Sequence, residues 1–475
     1  DLYVESGESV GLVGESGSGK SQSALAILGL LPAQARVSGS VEFDGEQLLG
    51  MDEHRLDQVR AQRIGIVFQD PMQALNPYLR IGVQLRQVLL SHGLAEGAEA
   101  DARVIEMLAR VGLPDPERQY RAWPHQMSGG MRQRTMIAAA LIAEPDLLIA
   151  DEPTTALDVT VQAQVLEMLE DIRDNTALLL ITHDLGVVAG HCEHTIVLEQ
   201  GRVVETGPTT SLFAAPRHEH TRRLLRAAPR VDRGAPPQPV SSRQLLSASD
   251  IAVEYDGLRA VDSVSFSVRR GETVAIVGES GSGKSSLVRA VLGLVPQGGG
   301  RIVYARESLQ GPVEQRAMSV RRDLQLVYQD PTSALNPQMR VQAIVEEPLV
   351  VHEPTLGRAD RRERVVAILQ RVGLAEKHLR RYPHELSGGQ AQRVAIARAL
   401  VLEPTVLVCD EAVAALDGSV REQVLEMLRE VQRETGLSII FISHDLAVVR
   451  SLSHRVLVMY LGRLVELADS AALFE

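Results

Sequence analysis

Lysine is nearly absent from these 475 residues: Lys20, Lys284 and Lys377 are the only three, although lysine and arginine together number 49. Two of the three close the same octapeptide, Gly-Glu-Ser-Gly-Ser-Gly-Lys-Ser, at residues 14–21 and 278–285. A compact ammonium on a flexible stem reaches phosphate oxygens in a confined loop where a planar guanidinium fits poorly. In such a run the backbone N–H groups of Gly14, Ser16, Gly17, Ser18 and Gly19, and of Gly278, Ser280, Gly281, Ser282 and Gly283, form a concave anion site at a helix N-terminus. Lys20 and Lys284 then supply charge for the outer phosphates, and Ser21 and Ser285 can place a hydroxyl on Mg²⁺.

Two further motifs keep their distance from each loop. Asp151-Glu152 and Asp410-Glu411 end the apolar runs 147–150 and 406–409, which puts paired carboxylates at the carboxyl end of a strand. The aspartate suits Mg²⁺, directly or through water, and the glutamate can polarise a water for in-line attack on a γ-phosphorus. Alone, such a pair is more often a helix cap; beside a phosphate loop, twice, it reads as chemistry. Ser128-Gly129-Gly130 and Ser387-Gly388-Gly389 precede Ala- and Arg-rich amphipathic stretches at 131–143 and 390–402, and in isolation would be N-caps.

The elements that must position these residues occur twice. Gly14 pairs with Gly278, Gln69 with Gln329, Ser128 with Ser387, Asp151 with Asp410 and His183 with His444, at offsets of 264, 260, 259, 259 and 261 by subtraction. One domain has been duplicated, with small loop changes. The apolar runs 9–13 and 273–277 each feed a glycine loop and a helical stretch (21–30 and 285–294), as a true phosphate loop requires. Further buried-strand runs at 147–150, 178–182, 406–409 and 438–443 alternate with helical segments, so each copy reads as α/β with a parallel sheet. We expect domains at 1–230 and 245–475, joined by a Pro- and Ser-rich linker at 231–244. Strand-like runs at 251–255 and 263–268 open the second copy, and Asp1 registers with Ser265, so about 20 residues of the first copy are expected to precede the given sequence.

Composition excludes several functions. A formal net charge of −12 argues against a broad nucleic-acid footprint, and 3% aromatic content against base stacking. Cys192 and Cys409 are too few for a disulfide framework or an all-cysteine zinc site, so a reducing cytosol is the natural compartment. No apolar run reaches the ~20 residues of a membrane span.

The segments Pro-His-Gln-Met-Ser-Gly-Gly-Met-Arg-Gln-Arg and Pro-His-Glu-Leu-Ser-Gly-Gly-Gln-Ala-Gln-Arg, each between a phosphate loop and an Asp-Glu pair, resemble the signature of ABC transporter ATPases. The resemblance covers essentially the whole chain and implies two tandem P-loop domains, each a RecA-like α/β core with a helical subdomain. It also implies head-to-tail pairing. One ATP would lie among Lys20, Ser21, Gln69, Asp151, Glu152, His183 and the signature Ser387, Gly388, Gly389 and Gln390. The other would lie among Lys284, Ser285, Gln329, Asp410, Glu411, His444 and Ser128, Gly129, Gly130 and Met131. Ser21, Gln69 and Asp151, with Ser285, Gln329 and Asp410, are the implied Mg²⁺ ligands; Glu152 and Glu411, with the glutamines and histidines, are the implied catalytic groups. Asp158 and Asp417 match the D-loop, and Tyr255 resembles the aromatic that stacks on adenine.

Gln-Asp-Pro-Met-Gln-Ala-Leu-Asn-Pro and Gln-Asp-Pro-Thr-Ser-Ala-Leu-Asn-Pro, and Arg217-His218-Glu219-His220-Thr221-Arg222-Arg223-Leu224-Leu225, narrow the resemblance to oligopeptide, dipeptide and nickel importer ATPases, and the fusion of two copies to Yej-type peptide importers. That implies two permease subunits, docked over residues 76–92 and 336–352, an extracytoplasmic peptide-binding protein, and a peripheral place on the cytoplasmic face of a bacterial inner membrane. The iron-sulfur cysteines of many such ATPases are not in this sequence, so no cluster is expected in it. Copy two reads Asp-Glu-Ala-Val-Ala-Ala-Leu-Asp where copy one reads Asp-Glu-Pro-Thr-Thr-Ala-Leu-Asp, which predicts two active but unequal sites. A nickel or other small-solute importer and a soluble tandem translation or repair factor stand as alternatives; the long charged linker or zinc modules usual in the latter are not in the sequence.

Overall fold

The apolar runs do form parallel sheets, each assembled from segments distant in sequence. A computed structural model describes the chain apart from residues 16, 155–158, 172–175, 228–240, 310, 414–415, 417 and 475. The chain divides into two units, Asp1–Ala228 and Pro229–Glu475. The first contains β1 (Ser9–Val13), β2 (Glu42–Phe43), β3 (Glu46–Gln47), β4 (Ile64–Val67), β5 (Leu147–Asp151), β6 (Ala177–Thr182), β7 (His194–Glu199) and β8 (Arg202–Pro208). Six of these form one sheet in the order β4-β5-β6-β1-β7-β8, with only the β7–β8 pair antiparallel.

The second unit contains β9 (Gln244–Tyr255), β10 (Leu258–Arg269), β11 (Thr273–Gly278), β12 (Gly299–Tyr304), β13 (Glu307–Leu309), β14 (Leu324–Val327), β15 (Val406–Asp410), β16 (Ser438–Ile442), β17 (Arg455–Tyr460) and β18 (Arg463–Asp469). Its main sheet, β14-β15-β16-β11-β17-β18, repeats the first, and an antiparallel sheet β10-β9-β12-β13 is added. β1, β15 and β16 are buried at every position, as strands covered on both faces must be.

Register gathers the chemistry at one edge. Val13 pairs with Thr182, Asp151 with Ile181 and Val67 with Ala150, so the residues following β1, β4, β5 and β6 emerge together at the carboxyl ends, where open α/β sheets hold their ligands. The helices Ile81–Ser91, Gly97–Arg110 and Gly129–Leu141 form a separate helical layer, sealed by the fully buried Ile81, Leu85, Val104, Leu108 and Ile137. Val341–His352, Arg358–Arg371 and Gly388–Leu400 repeat it.

Several expected boundaries move. The helices after the loops are Lys20–Ile27 and Lys284–Leu292, shorter than 21–30 and 285–294 because Gly29 (φ 63°) and Gly293 (φ 77°) turn left-handed and end them. The signature helices start two residues early, because the hydroxyls of Ser128 and Ser387 already accept the N–H of Met131 and Gln390, each at 3.3 Å. The run 251–255 is only the end of β9, and Gln244, expected in the linker, opens that strand by pairing with Arg269; residues 231–240 of the linker lie outside the described residues. Among the described residues no helix is long and apolar enough to cross a membrane.

Candidate nucleotide-binding site

Each phosphate loop leaves its strand at a glycine for a steric reason. A Cβ on Gly14 would stand 2.3 Å from the Leu198 carbonyl oxygen, and one on Gly278 would stand 2.2 Å from that of Met459. Each lysine folds back under its own loop. Lys20 Nζ donates to the carbonyls of Gly14 (2.8 Å) and Glu15 (3.0 Å), and Lys284 Nζ to those of Gly278 (2.8 Å) and Glu279 (2.7 Å). Both are buried, so each ammonium sits beneath a ring of amides, where a phosphate oxygen would meet both. The Ser18 hydroxyl is buried in the first loop with no hydrogen-bond partner among the described residues, a donor left for a ligand. Ser16 lies outside the described residues.

The acidic pairs sit where register places them. Asp151 and Asp410 are 7% and 1% exposed. Burial pushes both carboxyls above their ordinary value, against hydrogen bonds from Ser21 and Ser285; Ser285 Oγ donates to Asp410 Oδ1 at 2.9 Å. Asp151 Oδ1 and Asp410 Oδ2 are buried without a hydrogen bond among the described residues. A serine hydroxyl beside a buried carboxylate with an oxygen that accepts no hydrogen bond is a hard-oxygen donor set that suits Mg²⁺, which takes one or two carboxylates and completes its shell with phosphate and water.

Glu152 and Glu411 both have φ of 49°, a left-handed conformation costly for a residue with a side chain. The Glu152 N–H holds the carbonyl of Ile181 at 2.8 Å, and that of Glu411 holds Ile442 at 3.1 Å. The turn aims each carboxylate at two partners. Gln69 Nε2 donates to Glu152 Oε2 at 2.9 Å, and His183 Nδ1 lies 3.1 Å from Oε1. In the second unit Gln329 Nε2 donates to Glu411 Oε2 at 2.7 Å, while His444 Nδ1 stands off at 3.7 Å. His444 nonetheless holds the Glu411 carboxyl below its ordinary value against burial, with Lys284 adding to the effect.

The predicted residues therefore converge within each unit on three points: loop, aspartate and glutamate. The signatures stand apart. Ser128, Gly129, Ser387 and Gly388 are exposed, and a Cβ on Gly129 or Gly388 would meet open space, whereas Gly130 and Gly389 pack against Val161 and Val420. Gln390 also closes a capping box by accepting the Ser387 N–H at 3.3 Å, which Met131 cannot do. Tyr255 is 41% exposed at the end of β9, its hydroxyl 3.5 Å from Ser286 Oγ on the helix after the second loop, within reach of a base attached to phosphates there. Asp158 and Asp417 lie outside the described residues.

Sequence reasoning missed Arg289. It lies 3.7 Å from Asp410 Oδ2, and the register of the repeat gives Leu25 in its place, a contrast that could have revealed it. It also missed the ion pairs between the phosphate loop and the segment after the first sheet.

Two phosphate loops, each joined through strand order to an Asp-Glu pair, a glutamine and a histidine, and each accompanied by an exposed Ser-Gly-Gly helix start, define a tandem P-loop ATPase. The family model described as ABC transporter matches residues 1–155 and 261–414, and the chain belongs to that family of ATP-binding, ATP-hydrolysing transport subunits. Among its relatives is the peptidoglycan transport ATP-binding protein YejF of Agrobacterium fabrum, 45% identical, covering 98% of this chain and 88% of that protein. Another is the glutathione import ATP-binding protein GsiA of Escherichia coli, 40% identical, covering 99% of this chain and 83% of that one. Of solved structures, cbiO1 from Clostridium perfringens, part of the ABC transporter complex cbiONQ, aligns at 32% identity over 49% of this chain and 91% of its own, with a TM-score of 0.45.

Proposed function

We propose that the chain is the ATP-hydrolysing motor of a bacterial importer for peptides or peptide-bearing molecules. The observation that carries this is the glutamate held between a glutamine and a histidine in both units, in a chain matched almost end to end by import and transport ATP-binding proteins. Glutathione is a tripeptide and peptidoglycan carries short peptides, so peptide is the chemistry that the two relatives' cargoes share.

Each ATP is sandwiched between the loop of one cassette and the signature of the other, Lys20 with Ser387 to Gln390 and Lys284 with Ser128 to Met131. Lys20 and Lys284 draw charge from the β- and γ-phosphates. Glu152 and Glu411 accept a proton from the attacking water, His183 and His444 hold that carboxylate and the γ-phosphate in one arrangement, and Gln69 and Gln329 link the site to the helical layer. Ser21, Asp151 and Gln69, with Ser285, Asp410 and Gln329, would hold Mg²⁺, which neutralises developing phosphate charge when bound.

Closure of the cassettes around ATP moves two permease subunits at the cytoplasmic face of the inner membrane, and an extracytoplasmic binding protein delivers the peptide. In the second unit a cavity of about 380 Å³ opens between β14 and the helix Val341–His352, beside Tyr328 and therefore next to Gln329. With the half-exposed Val350 and Val351 on the same helix, it suits a permease segment. Copurification with membrane subunits and stimulation of ATP hydrolysis by a peptide-loaded binding protein test the reading; a chain that associates with no membrane protein overturns it.

A further inference from the structure

The segment after the first sheet has no part in the catalytic scheme, yet it reaches the phosphate loop. The Glu205 carboxylate on β8 accepts the N–H groups of Arg217 (2.8 Å) and His218 (3.0 Å), which fixes the approach to the helix Glu219–Ala227. His218 Nδ1 in turn accepts the N–H of His220 at 3.2 Å. These anchors bury His220 to 2% exposure, with its Nδ1 2.7 Å from Arg223 Nη2. That Nδ1 also lies 3.1 Å from Glu199 Oε1, which closes a cluster of imidazole, guanidinium and carboxylate. The same Nη2 donates to Glu199 Oε1 at 3.3 Å and stands 3.7 Å from Glu15 Oε1.

Glu15 is the second residue of the phosphate loop. Its carboxylate adds negative charge beside a site built for a triphosphate, and repulsion at that range weakens binding unless it is offset. We propose that Arg223 is a positioning residue for nucleotide at the first site: aimed by a buried imidazole and by Glu199, it holds the Glu15 carboxylate aside and neutralises it. The proposal rests on the reading of Lys20 and its loop as an ATP site. The matching Glu279 in the second unit is exposed and forms no ion pair among the described residues.

The test uses the full chain carrying Lys284→Ala, so that the first loop reports, with the fluorescent analogue mant-ATP titrated at low and high salt. Arg223→Gln is expected to weaken binding about two- to fivefold at low ionic strength, the range of a partly exposed ion pair, and by less at high salt. Arg223→Lys should stay near the parent. The double variant Glu15→Gln/Arg223→Gln should bind no more weakly than Glu15→Gln, because the charge to be offset is gone. Parental binding by Arg223→Gln, or the same loss whether or not Glu15 is present, overturns the proposal. Should Arg223→Gln fold poorly, Glu15→Gln decides: with the loop carboxylate gone there is no charge to offset, so binding is expected to be at least as tight as in the parent, and weaker binding overturns the proposal. Lys20→Ala separates the two readings: if mant-ATP binding survives that change, the phosphate site itself has been misplaced.

Discussion

Glu152 and Glu411 share a backbone conformation and a glutamine partner, but their histidines stand at 3.1 and 3.7 Å. Asp410 has Arg289 beside it where the first copy has Leu25. Both differences change the charge around the reacting water, so the two sites should turn over at different rates. Glu152→Gln and Glu411→Gln are expected to leave unequal residual ATPase activities, and the double variant to fall by about 10²- to 10⁴-fold, the usual worth of a general base; single variants with equal losses would sink the asymmetry. Nearly all of this site was legible in the sequence, because the motif residues are adjacent in the chain or fixed by register. Arg289 and Arg223 were not, because their roles depend on which helix face meets which loop, and no short motif records that.

The elements were legible where burial is two-sided and hidden where it alternates. The run at 438–443 names β16 almost to the residue, while β9 extends back to Gln244 through positions alternately buried and open. Phe441, fully buried on β16, packs among residues of the second helical layer, and Phe441→Ala is expected to cost about 3–5 kcal/mol in chemical denaturation of that unit. The segment joining β8 to the helix Glu219–Ala227 should be sensitive to acid. Burial pushes the Glu205 carboxyl up, but the hydrogen bonds it accepts from the N–H groups of Arg217 and His218 outweigh it and hold the group below its ordinary value of 4.5. A lowered carboxyl stabilises the fold above its ordinary value, and that contribution disappears as pH falls through the folded one. Amide exchange in residues 217–226, corrected for intrinsic rate, should therefore rise as pH drops below about 4.5, and Glu205→Gln should flatten that rise. A parallel rise in the variant would remove Glu205 from the account.

At the scale of the molecule, each unit carries a loop, an acidic pair, a glutamine, a histidine and a signature, yet neither signature makes a hydrogen bond to its own loop among the described residues. Duplication was plain from five paired motifs at nearly constant offset; the sharing of nucleotides between copies, proposed above, is implied by the family resemblance and not by any residue count. Gly388 offers a clean test, since it is exposed and a Cβ there meets nothing. Gly388→Asp should fold with an unchanged melting temperature and bind nucleotide at the Lys20 loop, but lose at least about tenfold in hydrolysis there, because a carboxylate would face the γ-phosphate. Unimpaired hydrolysis would mean that the two cassettes work separately.

The left-handed turn at Glu152 and Glu411 bears on how this sequence can drift. Glycine or asparagine would rest there with less strain, so a lineage released from transport, or a library screened only for heat resistance, should accumulate those residues at the two positions first. Glutamate at both, where the backbone favours other residues, is what the proposed role in hydrolysis requires, and a homologue with glycine or asparagine at one of them is expected to hydrolyse ATP at a single site.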